Sequence, residues 1–408
     1  MKPLHEAQRE VLAAMRRLDT ESVTPMASSG RVTAVDCRSA VMVPPFANSA
    51  MDGFAIRSSD VAKVPVPLSI IEDVPAGSVP TKAVGDGQAT KIMTGAPMPE
   101  GADAVVRVED TRADSDGSVT VIVGVESGTN VRAAGGDVGV GDLLVRAGVR
   151  LTTRHAATLA SAGVSPLVSK VPRVAVMSTG DEVVEPTIES LAPGRIRDTN
   201  RVLLVGLLDD LGVDVIDFGI VGDDMEALSD AYRRAAAAAD VVVSTGGVSM
   251  GDHDYVKQVL GDMGTVDFWK VAMQPAKPFA FGSINGVPLF GLPGNPVSTF
   301  VAFEQFLRPG LLRMMGASAL FRPRVTGVMG EDLATAPDKE VFVRAMLALD
   351  SGQSFVAVKS GGQASNVLSA LAQAEAFAVV PVGTSSLSAG DTVTLEMFTW
   401  RENRGLDD

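Results

Sequence analysis

Thiol and imidazole side chains are nearly absent from this chain, which has one cysteine, Cys37, and three histidines. A single thiol rules out an internal disulfide framework and a thiolate cage for zinc or iron–sulfur, and three imidazoles leave little for a histidine site, so a bound metal is expected to meet oxygen ligands. Basic residues are also in deficit: 35 Lys plus Arg stand against 49 Asp plus Glu, a formal charge of −14. No basic stripe interrupts that excess, which repels nucleic acid. Missing too is any apolar run of the roughly eighteen residues a membrane span needs, and the opening MKPLHEAQRE has no signal-peptide core. The expectation is a cytoplasmic protein with neither a nucleic-acid nor a membrane partner. An anionic ligand would have to be met by a local cluster of Lys, Arg, backbone N–H groups or a divalent cation.

What the chain has in quantity is core-forming residues, 46% of 408 positions, enough for two to four domains. Leu4, Val11, Leu12, Met15 and Leu18 share one face at helical spacing, predicting an amphipathic helix over 4–18 for packing or dimer contact. From Arg31 to about Gly124, short β-rich runs (VTAV, PLSII, QATKIM, DAVVRV, SVTVIV) alternate with Pro and Gly turns. A turn-rich stretch at 130–142 follows, then a predicted helix near 152–163 that is expected to pack beside the first. From Arg173 onward, the buried strands RVAVMST, DVIDFGIV and DVVVSTGG alternate with helical stretches, the pattern of βαβ units on a parallel sheet, with Asn200 as the N-cap of a helix ending at Gly212. After about 315 the chain returns to short strands. The expected fold is multidomain α/β. It comprises a helical bridging domain (1–30 plus 131–170), a mostly β domain (31–130), a doubly wound α/β domain (171–314) and a C-terminal β-barrel (315–408).

Ligands of open α/β sheets sit beyond the carboxyl ends of the strands, which singles out three loops. Ser178-Thr179-Gly180-Asp181-Glu182 projects a carboxylate at a strand end. Gly246-Gly247-Val248-Ser249-Met250-Gly251-Asp252-His253-Asp254 offers glycine N–H groups and the hydroxyls of Ser244, Thr245 and Ser249 to a phosphate. Its spacing is not that of a Walker loop, and no Gly-x-Ser-x-Gly elbow supports a Ser–His–Asp hydrolase. The third loop, Gly291 to Thr299, is stiffened by Pro293 and Pro296, and Lys270 and Lys277 lie just upstream of it. Taken singly, each loop is also what an ordinary turn looks like. Together with Glu182, Asp223, Asp224, Asp252 and Asp254 near strand ends, they point to Mg²⁺ bridging carboxylates to an oxyanion.

Combined with Asn48-Ser49-Ala50-Met51-Asp52-Gly53-Phe54-Ala55, Met93-Thr94-Gly95-Ala96 and Gly101-Ala102-Asp103-Ala104-Val105-Val106, the chain resembles the molybdopterin molybdenumtransferases, the MoeA family, and the E domain of gephyrin along its whole length. The resemblance implies insertion of molybdate into the dithiolene of adenylylated molybdopterin, with Mg²⁺-dependent release of AMP. It also implies a homodimer whose site lies between two copies, with a molybdopterin adenylyltransferase as a possible partner. Carried over by position, it gives Asp52, Thr94, Arg132 and Asp137 roles from the β and bridging parts. Glu182, Asp223 and Asp254 would serve the cation and the phosphoanhydride. Gly246, Gly247 and Ser249 would cradle the pterin phosphate and Lys270 and Lys277 neutralise oxyanions. Pro293, Asn295, Pro296 and Ser298 would line the pocket, and Arg344 and Ser365 would contact molybdate. Two places depart from the family pattern: Gly136 precedes Asp137 where a Glu is usual, and Gln274 and Ala276 stand where Lys and Gly are common. They leave open a paralogue with changed metal or substrate preference, or a non-catalytic pterin-binding one; a molybdopterin adenylyltransferase is the other alternative, because those enzymes are similar to the doubly wound domain alone, and the long β-rich flanks argue against it.

Overall fold

The computed structural model describes residues 1–247, 255–352 and 354–398. In its N-terminal part, strands Gly53–Ile56 (β1), Val66–Val74 (β2), Gln88–Ile92 (β3), Ala104–Arg107 (β4), Thr111–Ala113 (β5) and Ser118–Val121 (β6) form one sheet, ordered β4-β1-β3-β2-β6-β5. Side chains alternate across it as the two-residue period requires. Phe54, Ile56, Ala104 and Val106 fill one core, while Ala55, Val105 and Ile92 fill another. The VTAV run does not join this sheet; Val32 and Thr33 make single bridges to Arg150 and Val168.

The opening helix, Leu4–Ala14 (α1), is shorter than its apolar periodicity predicts. Met15 is extended, and the Leu18 N–H bonds the Met314 carbonyl at 2.9 Å, so a tertiary hydrogen bond replaces the next helical turn. Its face of Leu4, Ala7, Val11 and Met15 packs into the same core as Phe306 and Leu311. The second helix, Thr153–Ser161 (α2), is not beside it. Leu159 of α2 packs instead with Cys37, Val145, Leu151 and Val168.

The α/β body contains strands Arg173–Thr179 (β7), Asp214–Val221 (β8), Val241–Thr245 (β9), Gly264–Lys270 (β10), Pro278–Ile284 (β11) and Val287–Leu292 (β12), ordered β8-β7-β9-β12-β11-β10. The first four run parallel, and β11 and β10 continue the sheet antiparallel. Val176 and Val243 point into one core and Ala175, Met177 and Val242 into the other, so the sheet is covered on both faces. Helices Thr199–Leu211 (α3), Met225–Ala238 (α4) and Tyr255–Met263 (α5) connect the strands. Helix α3 is capped by Asp198, whose carboxylate accepts the Arg201 N–H at 3.0 Å, not by Asn200. Asn200 lies in the first turn and donates to the Gly294 carbonyl at 2.8 Å. As expected, Gly212 ends the helix, at φ +76°, where a side chain would be strained.

After β12 comes helix Pro296–Ala302 (α6), continued by a π turn over Phe303–Leu307 and by Arg308–Met314. The π turn holds Glu304, 1% exposed, which takes a two-pronged contact from Arg322 at 2.8 and 2.9 Å. The last domain closes on itself. Arg324–Met329 (β13), Glu340–Leu349 (β14), Phe355–Lys359 (β15), Ala376–Val380 (β16) and Thr392–Met397 (β17) run in the order β14-β15-β13-β17-β16, and β16 pairs back onto β14. On its other edge β14 pairs with Met273–Gln274 of the α/β body.

Candidate active site

Because β7, β9 and β12 run parallel, the chain leaves all three at one edge of the sheet, at Gly180, Gly246 and Pro293. A cleft of about 890 Å³ opens there. Its walls bring together Glu182, Gly246, Gly247, Lys270, Lys277, Pro293, Asn295, Ser298 and Ser365, nine of the residues anticipated from sequence. Two glycines make this convergence possible. Gly246 has φ +87°, and a Cβ on it would stand 2.5 Å from the Thr179 carbonyl, so no other residue lets the ends of β7 and β9 approach this closely. At Gly180 a Cβ would stand 2.6 Å from Oε2 of Glu182, which folds back over the bare Cα.

Lys270 ends β10 and Lys277 precedes β11, and the intervening turn is closed by the Val271 N–H on the Lys277 carbonyl at 2.9 Å. Ala276 in this turn takes φ +72°, a conformation costing a non-glycine residue roughly 1–2 kcal/mol. Among the described residues, neither lysine nor Glu182 is held by an ion pair or side-chain hydrogen bond. Among the described residues the cleft therefore carries two lysines and a carboxylate without protein partners, in a chain of formal charge −14. That arrangement suits an anionic ligand met partly by lysine and partly through a cation on the carboxylate.

The third loop is fixed by the Thr299 hydroxyl on the Pro293 carbonyl at 2.7 Å and by Asn200 on Gly294. Asn295 precedes α6 without using its side chain as a cap, which leaves it for the cleft. Pro296 takes the first helical position, outside the cleft wall. Arg344 also differs from expectation. It is 1% exposed and lies behind the wall, donating from Nη2 to the carbonyls of Gly362 at 2.6 Å and Ala364 at 3.2 Å. It thereby supports the segment that presents Gln363, Ala364 and Ser365 to the cleft. Ser244 and Thr245 are buried within the sheet and do not line the cleft; Thr245 shares a 3.1 Å hydroxyl contact with Ser178. Asp223 is off the wall as well. Its Oδ2 accepts the Asp181 N–H at 3.3 Å, and Oδ1 of Asp181 accepts the Asp223 N–H at 3.1 Å. Asp224 caps α4. Ser249, Asp252, His253 and Asp254 lie outside the described residues.

Asp52, Thr94, Arg132 and Asp137 form a separate group that shares no residue with the cleft wall. Oδ1 of Asp52 accepts both the N–H and the hydroxyl of Thr94, at 2.7 and 2.8 Å. These two donors, the N–H first, hold the Asp52 carboxyl below the usual carboxylate range. The short strand Val131–Arg132 pairs with Asn48–Ser49, the Gly95 N–H bonds the Ser49 carbonyl, and the Asp137 N–H bonds the Val43 carbonyl, so Thr94, Arg132 and Asp137 are all tied to the stretch from 43 to 52 that ends at Asp52. Four cleft residues lay outside every stretch singled out from the sequence: Ile196, Lys339, Gln363 and Ala364. Lys339 arrives because the Glu340 N–H bonds the Ala272 carbonyl at 3.0 Å, a pairing across more than sixty residues that leaves no local signal.

Comparison with known proteins bears on the same geometry. Residues 2–163 match the MoeA N-terminal region (domain I and II), residues 175–313 a probable molybdopterin binding domain, and residues 326–398 the MoeA C-terminal region (domain IV). A molybdopterin molybdenumtransferase of Haemophilus influenzae is 36% identical over 381 residues, covering 93% of this chain and 94% of that protein. Molybdopterin molybdenumtransferase 2 of Mycobacterium tuberculosis is 35% identical over 402 residues, covering 96% and 98%. The crystal structure of a molybdopterin biosynthesis MoeA protein from Pyrococcus horikoshii OT3 superimposes with a TM-score of 0.80 at 28% identity, over 98% of this chain and all of that one. Three matched regions in family order, at this identity and over nearly the whole length, make the chain a member of the MoeA family, the molybdopterin molybdenumtransferases of molybdenum cofactor biosynthesis.

Proposed function

We propose that this transferase takes adenylylated molybdopterin and molybdate as substrates and releases AMP as molybdenum enters the dithiolene, with Mg²⁺ as the assisting ion. The observation that carries this reading is the cleft itself: Glu182 without a protein partner among the described residues, in one wall with Lys270, Lys277 and the N–H-bearing glycines 246 and 247. The donor set fits Mg²⁺, which takes one or two carboxylates and completes its shell with ligand oxygens and water. Among the described residues no three His, Cys, Asp or Glu side chains form a ready-made metal cage. Glu182 would hold the ion. Of Asp223, whose Oδ1 makes no hydrogen bond among the described residues, and Asp254, one would give the ion its second carboxylate and the other would hold a water of its shell. When bound, the ion supplies charge neutralisation at the phosphoanhydride.

The chain's own groups divide the remaining tasks. Gly246, Gly247 and Ser249 receive the pterin phosphate, Lys270 and Lys277 offset the charge of the oxyanions, and Pro293, Asn295, Pro296 and Ser298 shape the loop beside it. Ser365 contacts molybdate, and Arg344 acts through the 362–364 carbonyls that it holds. Asp52, Thr94, Arg132 and Asp137 share no wall with the cleft, which supports a homodimer in which these four residues face the cleft of a second copy. A cytoplasmic location and an adenylyltransferase that supplies the substrate belong to the same reading. Among the described residues no helix is long and apolar enough to cross a membrane.

Incubation with adenylylated molybdopterin, Mg²⁺ and molybdate tests the assignment. AMP release matched by molybdenum incorporation, and abolished by chelation of Mg²⁺, is the expected result. Adenylylation from ATP, or pterin binding with no AMP released, would overturn it. Restored nitrate reductase activity in a strain lacking the insertion enzyme is the corresponding cellular readout.

A further inference from the structure

A second, more enclosed cavity of about 230 Å³ lies away from the cleft and shares no lining residue with it. It forms where five stretches of chain meet: residues 17–20 after α1, residues 33–34, residues 147–148, Ser169 before the α/β body, and residues 316–318 after the long helix. Thr20 and Ser169 are paired across a short antiparallel ladder, which fixes two of these stretches to each other.

The lining is chemically one-sided. It contains the guanidinium of Arg17 and the hydroxyl residues Thr20, Thr33, Ser169 and Ser318, and no carboxylate. Arg17 is exposed and makes no ion pair or side-chain hydrogen bond among the described residues, so its guanidinium is available from the solvent side, in a chain where acids outnumber bases by 49 to 35. Ser169 is 5% exposed, yet its hydroxyl also lacks a hydrogen-bond partner among those residues. Both groups are open to the cavity, and they converge over Gly316. A Cβ there would stand 3.4 Å from the Ser169 Oγ and 3.5 Å from the Arg17 Nε, and Gly316 has φ +77°, so its missing side chain leaves open the space between them.

We infer that this cavity is an anion site for one tetrahedral oxyanion of the sulfate, phosphate or molybdate type, bound by Arg17 and Ser169 over Gly316. At roughly 30 Å³ per oxygen-sized volume, the space takes four anion oxygens and a few waters. A planar guanidinium with a hydroxyl beside it supplies charge-assisted donors and no competing acceptor charge. A bound anion would tie the chain stretches before and after the α/β body to each other, and would raise stability by mass action. The inference rests on this geometry alone and does not depend on the reaction proposed for the cleft.

Calorimetric titration of the full chain with sulfate, phosphate and molybdate separately tests it, using Lys277→Gln to weaken anion binding in the cleft. Lys277→Gln is expected to retain one anion per chain. Adding Arg17→Gln should weaken that binding by about tenfold or more, as loss of a charged hydrogen-bond donor does. Ser169→Ala, which keeps the charge, should weaken it less and serves as the second variant if Arg17→Gln lowers the melting temperature in anion-free buffer. The ranking of the three anions identifies the ligand. In crystals soaked with molybdate, anomalous density between Arg17 and Ser169 supports the site. Density confined to the cleft, or equal anion affinity with and without Arg17, would overturn it.

Discussion

Oε2 of Glu182 occupies a position only 2.6 Å from where a Cβ on Gly180 would lie, so the carboxylate's place in the cleft depends on the absence of a side chain two residues earlier. Gly180→Ala is expected to lower the rate of AMP release at least about tenfold by displacing Glu182, the loss typical of a mispositioned catalytic group. Combined with Glu182→Gln, the two losses should fall well short of multiplying, because both variants remove the same contact. Fully multiplicative losses would mean that Gly180 acts independently of Glu182.

Lys277 lines the cleft with no anionic partner among the described residues, so Lys277→Gln should raise KM for the adenylylated pterin by about tenfold, the order expected for one charged hydrogen bond. Because exposed charges are screened, the wild-type KM should rise with added salt and that of the variant should rise less. Equal salt slopes would place Lys277 outside the binding step.

Thr94 donates twice to Asp52, and the resulting lowered carboxyl pKa gives a sign that titration can read. Stability from these bonds is present above the unfolded-state value of about 3.9 and is lost as pH falls through the lower folded value. Thr94→Val removes the hydroxyl and keeps the N–H, the larger contribution. The Asp52 midpoint followed by carboxyl ¹³C resonance should therefore move up while remaining below the ordinary range. An unchanged midpoint would show that the hydroxyl bond contributes nothing.

Glu304→Ala leaves the guanidinium of Arg322, and the neighbouring Arg308, without their buried carboxylate. Burial, followed by the proximity of Arg322, already depresses Arg308 to about 10, so these groups are poorly hydrated. Removing one member of such a buried pair costs about 3–5 kcal/mol, and urea unfolding is expected to show a loss of that order. A loss under 1 kcal/mol would mean that water replaces the carboxylate.

Strands β2, β3, β4 and β6, the parallel β7, β8 and β9, and the barrel strands β14 to β17 were legible because alternation and turn residues are local, and the cleft because strand ends in a parallel sheet point one way; β1, β5, β10, β11 and β13 carry no such pattern in the sequence and owe their place to their neighbours in the sheet. Competition between near neighbours was harder to read. Asp198 and Asn200 both suit an N-cap, and the choice is settled by the Gly294 carbonyl, which binds Asn200 from a distant loop. The pattern of β14 identifies a strand but does not show that Arg344 turns inward to hold two carbonyls. Nor does spacing reveal that Asp52 and Thr94 meet apart from Glu182. Motif order along a chain carries no distance.

Met273–Gln274 pairs with β14, so the turn that separates Lys270 from Lys277 is also an outer rung of the C-terminal barrel. The barrel is thus geared to the cleft. A tilt of one against the other has to shear this ladder or carry the lysines with it, and a substitution deep in the last domain can retune how the site grips its ligand without touching a single residue of the wall.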